Sequence, residues 1–118
     1  MYYFGKSSLD SDTDSKRYIS VNNFGYGKDI QKMNVCRKNG RSDYQLLYIK
    51  SGRFIFCEDD EEKILNDGSI YLYRPNEPQK YRVENEISTY YWIHFSGFEA
   101  EKMLEFFVER SYKIGAFP

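Results

Sequence analysis

The chain has 118 residues, with 17 lysines and arginines against 18 aspartates and glutamates, and a formal net charge of −1. This length is typical of one domain, and the near-neutral charge argues against a segment that grips nucleic acid, because phosphate binding needs a basic surface. No apolar run is long enough to span a membrane, and the start, MYYFGKSSLD, lacks the layout of a signal peptide. We therefore expect a cytoplasmic domain without a membrane partner.

The first segment, residues 1–17, is predicted to be a flexible N-terminal arm. Its stretch SSLDSDTDS is small, polar and acidic, and it cannot bury enough apolar surface to order itself. The preceding YYF, from Tyr2 to Phe4, is apolar enough to dock on something. Three interpretations stay open for YYF: docking over a pocket, packing on the outside of the domain, or disorder.

Residues 18–97 consist of short β-rich segments separated by turn signals, which predicts an all-β barrel or sandwich. The turn signals are NGRSD, SG, NDG and RPNEP. The acidic stretch EDDEE is predicted to be a solvated hairpin tip, because it lacks the ligand spacing and central glycine of a calcium loop. The β-rich segments are RYISV, MNVCR, YQLLYIK, RFIFCE, KIL, SIYLY, QKYRVE and ISTYYWIHF.

The two cysteines, Cys36 and Cys57, form no metal-binding or redox motif. We expect both to be reduced, buried thiols, as is usual in the cytoplasm. A single disulfide between them is the alternative.

The stretch TYYWIHFSG contains the only tryptophan and the only histidine of the chain. A strand alternates its side chains between two faces, so this stretch presents two different surfaces. One face carries rings with polar groups, and it consists of Tyr90, Trp92 and His94. The other face is mostly apolar, and it consists of Tyr91, Ile93 and Phe95. The first face suits a ligand that stacks and forms hydrogen bonds, such as a sugar, but ordinary core aromatics are the alternative.

After this last strand, the spacing of the apolar residues changes from the period of a strand to that of a helix. Ser96 and Glu99 have the S-x-x-E spacing of a helix capping box. The residues that then fall on one helical stripe are Ala100, Met103, Leu104, Phe107 and Ser111. We predict an amphipathic helix from about Phe98 to Arg110, with its stripe packed on the apolar face of the last strand.

Three segments between Arg41 and Gly97 resemble the effector-binding domain of AraC-type transcription regulators: GRSDYQLLYIKSG, LNDGSIYLYRPNEPQKY and YYWIHFSG. They occur in the order and spacing of that family. The resemblance implies a cupin-like jelly-roll barrel that senses a small molecule, followed by a helical DNA-binding domain. It implies that the chain is the sensor half of a longer regulator, with residues 98–118 forming the helix and the start of a linker.

Catalytic cupins hold a metal ion with histidines and a glutamate, and this chain departs from that pattern. Gln45 stands where the glutamate would be, and Gln79 replaces the histidine of the proline segment. Asn39 and Arg41 fall near the other two histidine positions. Amides and an arginine are poor ligands for a transition metal, so we expect no metal and no cofactor.

The resemblance also implies which residues bind the effector. In sugar-sensing members an arginine before the first barrel strand binds ligand hydroxyls, and Arg37 matches that position. Tyr81 matches a pocket tyrosine that closes the proline segment, and Tyr90 and Trp92 match the ligand-contacting residues of the last strand. His94 lies on the same face by period two, where a structural, hydrogen-bonded histidine is the alternative.

The function expected from the resemblance is therefore the sensing of a small, sugar-like effector, with DNA bound only through a further C-terminal domain. A metal-dependent cupin enzyme and a stand-alone carbohydrate-binding module are the competing functions. The enzyme lacks its metal ligands, and the module would be expected to carry a secretion signal and disulfides. The sequence leaves homodimer formation open.

Overall fold

Ten strands and one short helix make up the part of the chain that the structure, a computed structural model, describes: residues 2–7, 18–105 and 111–113. None of the helices in these residues is long and apolar enough to cross a membrane. In chain order the elements are β1 (Tyr2–Ser7), β2 (Ser20–Ile30), β3 (Met33–Arg37), β4 (Tyr44–Ser51), β5 (Arg53–Glu58), β6 (Glu61–Asn66), β7 (Ser69–Tyr73), β8 (Gln79–Val83), β9 (Ser88–Ser96), α1 (Ala100–Met103) and β10 (Ser111–Lys113).

The strands form two antiparallel sheets. The six-stranded sheet has the order β1-β2-β9-β4-β7-β10, and the four-stranded sheet has the order β3-β8-β5-β6. In β4, alternate residues are buried, as the period-two pattern of YQLLYIK predicts. The predicted all-β architecture is confirmed.

The main core lies between the two sheets and is unusually aromatic. Phe56 of β5 and Tyr71 of β7 stack across the sheets, with ring centroids 3.9 Å apart and planes 7° from parallel. Phe54 packs against Tyr90, with centroids 5.0 Å apart. The fully or nearly buried members of this cluster are Ile30, Leu47, Ile49, Phe54, Phe56, Tyr71, Tyr73, Tyr81, Val83 and Tyr90.

The turn chemistry of the sequence fixes most strand ends. The predicted hairpin tip EDDEE is confirmed, because β5 and β6 pair on either side of Asp59 and Asp60. Both aspartates are exposed and have positive φ angles of 46° and 67°. Two consecutive residues with positive φ give a turn whose twist matches that of the flanking strands.

Strand β2 is the element that the sequence pattern describes least well. The predicted strand RYISV covers only its first residues, whereas β2 extends over eleven residues to Ile30. Its second half, FGYGKDI, contains glycines and an aspartate, which are depleted in strands. Pairing with β1 on one side and β9 on the other outweighs this weak local propensity.

The predicted helix from Phe98 to Arg110 is wrong in its length and in its cap. The helix α1 has four residues, and Glu99 at its N-cap makes no side-chain capping bond. Ser96 cannot serve as the cap because it ends β9, where its hydroxyl accepts a hydrogen bond from Asn22 at 2.7 Å. Phe107 and the rest of 106–110 lie outside the described residues.

The packing expected for the helix is confirmed in part. Ala100 and Leu104 are buried with Phe95 in a second, smaller cluster, and Ile93 packs against it. Tyr91, the third member of the predicted contact face, is exposed instead. Ser111 does not continue the helical stripe, because it begins β10 at the edge of the six-stranded sheet, beside β7.

The prediction for the cysteines is half confirmed. Both thiols are free, but Cys36 is exposed and Cys57 is only half-buried. The reason is position: β3 is an edge strand, and Cys36 pairs with the exposed Lys80 on the outer side of its sheet.

Candidate functional site

A cavity of about 210 Å³ lies between the two sheets, beside the aromatic core. All five residues that the sequence analysis proposes for ligand binding line it, which brings β3, β8 and β9 together at one place. The lining residues are Asn23 of β2, Val35 and Arg37 of β3, Gln45 of β4, Tyr81 of β8, and Tyr90, Trp92 and His94 of β9.

The three residues from β9 reach the cavity because the strand alternates as its sequence predicts. Tyr90, Trp92 and His94 line the cavity, whereas Tyr91 between them is 40% exposed on the opposite face. His94 lies in register between Asn23 of β2 and Gln45 of β4, so these three polar side chains form one row across the sheet.

Glycines on β1 and β2, the two strands on one side of β9, make room for the large rings of β9. Gly27 pairs with Tyr90, and a Cβ atom at Gly27 would lie only 2.6 Å from Cε1 of that ring. Gly5 of β1 approaches Trp92, where a Cβ atom would lie 3.0 Å from Cζ2. The glycine pattern of β2, which weakens it as a strand, is therefore what lets the rings lie over the sheet.

Trp92 is held in place by its own polar group. Its Nε1–H donates a hydrogen bond to Oδ1 of Asn23 at 2.6 Å. The ring also contacts Tyr90, with ring centroids 5.6 Å apart. Because the indole N–H is satisfied within the protein, the ring itself is what Trp92 can offer to a ligand.

Gln45 contributes a buried polar group to the cavity. It is 2% exposed, and its Nε2 donates to the hydroxyl of Tyr81 at 3.2 Å. Its other amide atom, Oε1, is buried and has no hydrogen-bond partner in the described part of the chain. An unpaired buried acceptor costs about 1–3 kcal/mol, so a ligand that donates to it gains from relieving that cost.

Arg37 is oriented by a glutamine. Its Nη1 donates to Oε1 of Gln79 at 2.6 Å, and Gln79 is only 1% exposed on the neighbouring strand β8. Nε2 of Gln79 is buried without a hydrogen-bond partner among the described residues. The guanidinium has five N–H donors, so this one bond leaves most of the fork for a ligand.

Tyr90 keeps its proton over a wide pH range. Burial raises the pKa of its phenol, the nearby Tyr81 and Tyr3 raise it further, and the positive charge of Arg37 lowers it. Its hydroxyl donates to Sδ of Met33 at 3.4 Å, which is a weak bond. At neutral pH Tyr90 is therefore a neutral hydroxyl.

The donor set does not fit the metal ion of catalytic cupins. Within residues 2–7, 18–105 and 111–113, no group of three or more histidines, cysteines, aspartates and glutamates could hold a metal. Gln45 and Gln79 contact Tyr81 and Arg37, respectively. Arg41, near one of the histidine positions, pairs with the buried Asp43 at 2.7 Å.

Three lining residues were missed by the sequence analysis: Asn23, Val35 and Gln45. Asn23 lies in the part of β2 beyond the predicted strand RYISV, and its proximity to Trp92 depends on strand pairing. The signal that could have located it is the spacing of Gly25 and Gly27, which oppose Trp92 and Tyr90. Gln45 had been considered only as the replacement for a metal ligand.

Solved structures support the fold, at low sequence identity. A protein of unknown function from Rhizobium leguminosarum matches with a TM-score of 0.53 and 14% identity, over 66% of this chain and 81% of its own. A cupin superfamily protein from Desulfitobacterium hafniense matches with a TM-score of 0.52 and 11% identity, over 80% of this chain and 78% of its own. The fold is thus a cupin-like, two-sheet domain with a cavity between its sheets.

The family model described as the AraC-like ligand binding domain matches residues 29–111, and the chain belongs to this family. ToxT from Vibrio cholerae has a similar structure, with a TM-score of 0.51 and 15% identity. That match covers 78% of this chain but only 36% of ToxT. No curated protein matches the sequence.

Proposed function

We propose that this domain is the sensor of an AraC-type transcription regulator, that it acts in the cytoplasm, and that it binds a small, sugar-like effector in the cavity between its sheets. Effector binding would control an attached helix-turn-helix domain, which would make the contact with DNA. The observation that carries the proposal is the convergence of Arg37, Tyr81, Tyr90 and Trp92 on one cavity in a chain of this family.

Each of these side chains has a role that suits a sugar. The ring of Trp92 provides a flat surface on which the apolar face of a sugar ring stacks. Tyr81 and Tyr90 provide hydroxyl groups, and Arg37 provides a fork of donors. His94, the remaining member of the set, is buried in the same wall and would bond a ligand hydroxyl or hold its neighbours in place.

The size of the cavity favours a ligand of about one ring. Pockets for drug-sized ligands measure roughly 300–1,000 Å³. The cavity is smaller, at about 210 Å³, and two of its lining residues, Tyr81 and Tyr90, belong to the aromatic core. A monosaccharide suits this volume better than an oligosaccharide.

Strand β1 gives the proposed effector a way to influence the rest of a regulator. Gly5 lies against Trp92, and the partial burial of Tyr3, which stays 45% exposed, together with its proximity to Tyr81 raises the pKa of the Tyr3 phenol. Of the three interpretations for YYF, docking over the pocket is the one that this placement supports. A ligand on Trp92 would therefore alter how tightly β1 binds to β2.

The experiment that tests the function uses Trp92 as the reporter, because it is the only tryptophan of the chain. Titration with a panel of monosaccharides and their derivatives should change its fluorescence for at least one member, with saturation. Tyr91→Phe, on the opposite face of β9, should give the same titration curve. If no member of the panel alters the fluorescence, and Trp92→Ala unfolds the domain, Trp92 is a core residue and the proposal fails.

A further inference from the structure

The described residues that line the cavity include one positively charged side chain and no negatively charged one. Arg37 is the only residue with a permanent charge among the described residues that line it, and no aspartate or glutamate lies in the lining. The other polar groups of the cavity come from amides, tyrosines and His94. The cavity therefore presents a positive charge on a half-buried side chain, which solvent screens less than it screens a fully exposed charge.

Arg37 differs in this respect from the other arginines of the described residues. Each of the other four forms an ion pair with a carboxylate, at distances between 2.7 and 3.9 Å: Arg41 with Asp43, Arg53 with Glu86, Arg74 with Glu101, and Arg82 with Glu62 and Glu84. Arg37 donates to the neutral amide of Gln79 instead. Within residues 2–7, 18–105 and 111–113, this guanidinium is thus oriented by a hydrogen bond without being neutralised by a carboxylate.

A guanidinium whose orientation is fixed by a neutral partner is well suited to bind an anion. The planar fork matches a carboxylate, and a charge-assisted pair is roughly twice as strong as a neutral hydrogen bond. A carboxylate from the protein would have blocked this role, and Gln79 does not. Because none of the described residues supplies a carboxylate to Arg37, we assign the negative charge to the ligand.

The second observation is the pair of unsatisfied amide atoms. Oε1 of Gln45 is a buried acceptor, and Nε2 of Gln79 is a buried donor, and neither has a hydrogen-bond partner among the described residues. Gln45 lines the cavity, so its acceptor requires a ligand group that donates, such as a hydroxyl. A ligand that satisfies Arg37 and Gln45 together carries both a carboxylate and hydroxyls.

We propose that the effector is a sugar acid of about one ring, whose carboxylate binds Arg37, whose hydroxyl donates to Gln45, and whose apolar face stacks on Trp92. This inference rests on the proposed function, since it names the ligand class for the same cavity. It excludes neutral sugars as the preferred ligands, although they would share the stacking and hydroxyl contacts.

The test compares acids with matched neutral sugars. Glucuronate and galacturonate are titrated against glucose and galactose, with isothermal titration calorimetry and Trp92 fluorescence as readouts. We expect one acid to bind at least tenfold more tightly than its neutral partner, and this advantage to shrink as the ionic strength rises. If a neutral sugar binds as tightly as its acid or more tightly, the inference is overturned while the sensor function stands. If neither series binds, the inference and the proposal of a sugar-like effector both fail.

Variants of Arg37 test whether the preference for sugar acids over neutral sugars depends on this residue. Arg37→Gln should lower the affinity for the acid about tenfold or more and lower the affinity for the neutral partner less, so that the preference for the acid shrinks, and Arg37→Lys should restore part of that preference. The matched control is Arg53→Gln, which removes an arginine that pairs with Glu86 and does not line the cavity. An acid preference that persists in a folded Arg37→Gln protein, checked by thermal unfolding, would overturn the assignment.

Discussion

The two faces of β9 are built from similar residues but have different surroundings. The inner face, with Tyr90, Trp92 and His94, lines the cavity between the sheets. The outer face carries Tyr91, Ile93 and Phe95, and it is divided between a covered end and an open end. Aromatic content therefore does not separate the two faces, and the feature that distinguishes the inner face is that it lines the cavity between the two sheets.

The covered end of the outer face is a small core of its own. Phe95 is 5% exposed and stacks on Tyr44, with ring centroids 5.2 Å apart. Ala100 and Leu104 cover it from the segment that follows β9. This end of the strand holds the C-terminal segment against the sheet.

The open end of the outer face carries a row of tyrosines. Tyr91 lies beside Tyr26 of β2 and Tyr48 of β4, with ring centroids 5.8 and 6.0 Å away, respectively. A second cavity, of about 310 Å³, lies here, and Lys28 and Lys50 are among its lining residues. Cross-strand ring pairs of this kind stabilise a sheet by roughly 0.2–1 kcal/mol each, so this row has a structural explanation that needs no ligand.

The largest expected effect comes from the covered end. Phe95→Ala should lower the free energy of unfolding by about 3–5 kcal/mol, because it leaves a cavity between the sheet and Leu104. Urea denaturation measures this loss. Tyr91→Ala, four residues away on the exposed part of the same face, should cost about 1 kcal/mol or less. Equal losses for the two variants would show that the outer face is not divided in this way.

The second prediction tests the close approach between Gly27 of β2 and the ring of Tyr90. Gly27→Ala should destabilise the domain by about 1–3 kcal/mol, because the new methyl group would collide with the ring of Tyr90. The double variant Gly27→Ala with Tyr90→Ala should recover part of this loss, because the colliding ring is gone. Thermal unfolding of the four proteins in this cycle gives the coupling, and an absence of coupling would contradict the close approach.

Trp92→Ala should act on binding more than on folding. Loss of the stacking surface should weaken effector binding by about 1–3 kcal/mol, or one to two decades in Kd, while the domain stays folded. Calorimetry is the appropriate measurement, since the variant has lost its fluorophore. Phe95→Ala, from the other face, should keep the wild-type Kd at temperatures where it remains folded.

The fourth prediction is that the stability of the domain depends on alkaline pH through Tyr90 of the inner face. The pKa of Tyr90 is raised in the folded state, so the unfolded chain loses this proton first as the pH rises through about 10. The stabilisation is complete below that pH and is lost above it, with a slope of at most about 1.4 kcal/mol per pH unit for one group.

Tyr90→Phe should therefore lose stability less steeply than the wild type above pH 10. The raised pKa values of Tyr3 and Tyr44 leave a residual slope in the variant. Chemical denaturation between pH 8 and about 11.5 measures both slopes. Tyr91→Phe removes a phenol from the exposed face and serves as the control. Identical alkaline slopes for Tyr90→Phe and the wild type would argue against the buried position of the phenol.

The smallest expected effect is that of a chelator. The inner face offers one imidazole together with amides, so removal of metal ions should change neither the unfolding temperature nor effector binding. Elemental analysis of protein purified without chelator should find less than stoichiometric zinc, iron or manganese. One equivalent of any of these metals per chain would contradict the prediction.

The local sequence pattern was sufficient to predict most of the strands and to predict that Tyr90, Trp92 and His94 share one face of β9. The turn residues around β5, β6 and β7 act within a few positions of the chain, so their boundaries could be predicted from neighbours alone. Period-two alternation placed Tyr90, Trp92 and His94 on one face for the same reason. The resemblance to the AraC family added Arg37 and Tyr81, whose convergence on that face has no local signal.

The sequence by itself determined the all-β class, the alternation of β9 and the scarcity of metal ligands, because these follow from residue type and nearest neighbours. Only the tertiary structure decided the length of β2, the early end of α1, and the entry of Asn23, Val35 and Gln45 into the cavity wall. The physical reason is that these features depend on pairing and packing between distant segments. The glycines of β2 are unfavourable in an isolated strand and become favourable only where the rings of β9 lie over them.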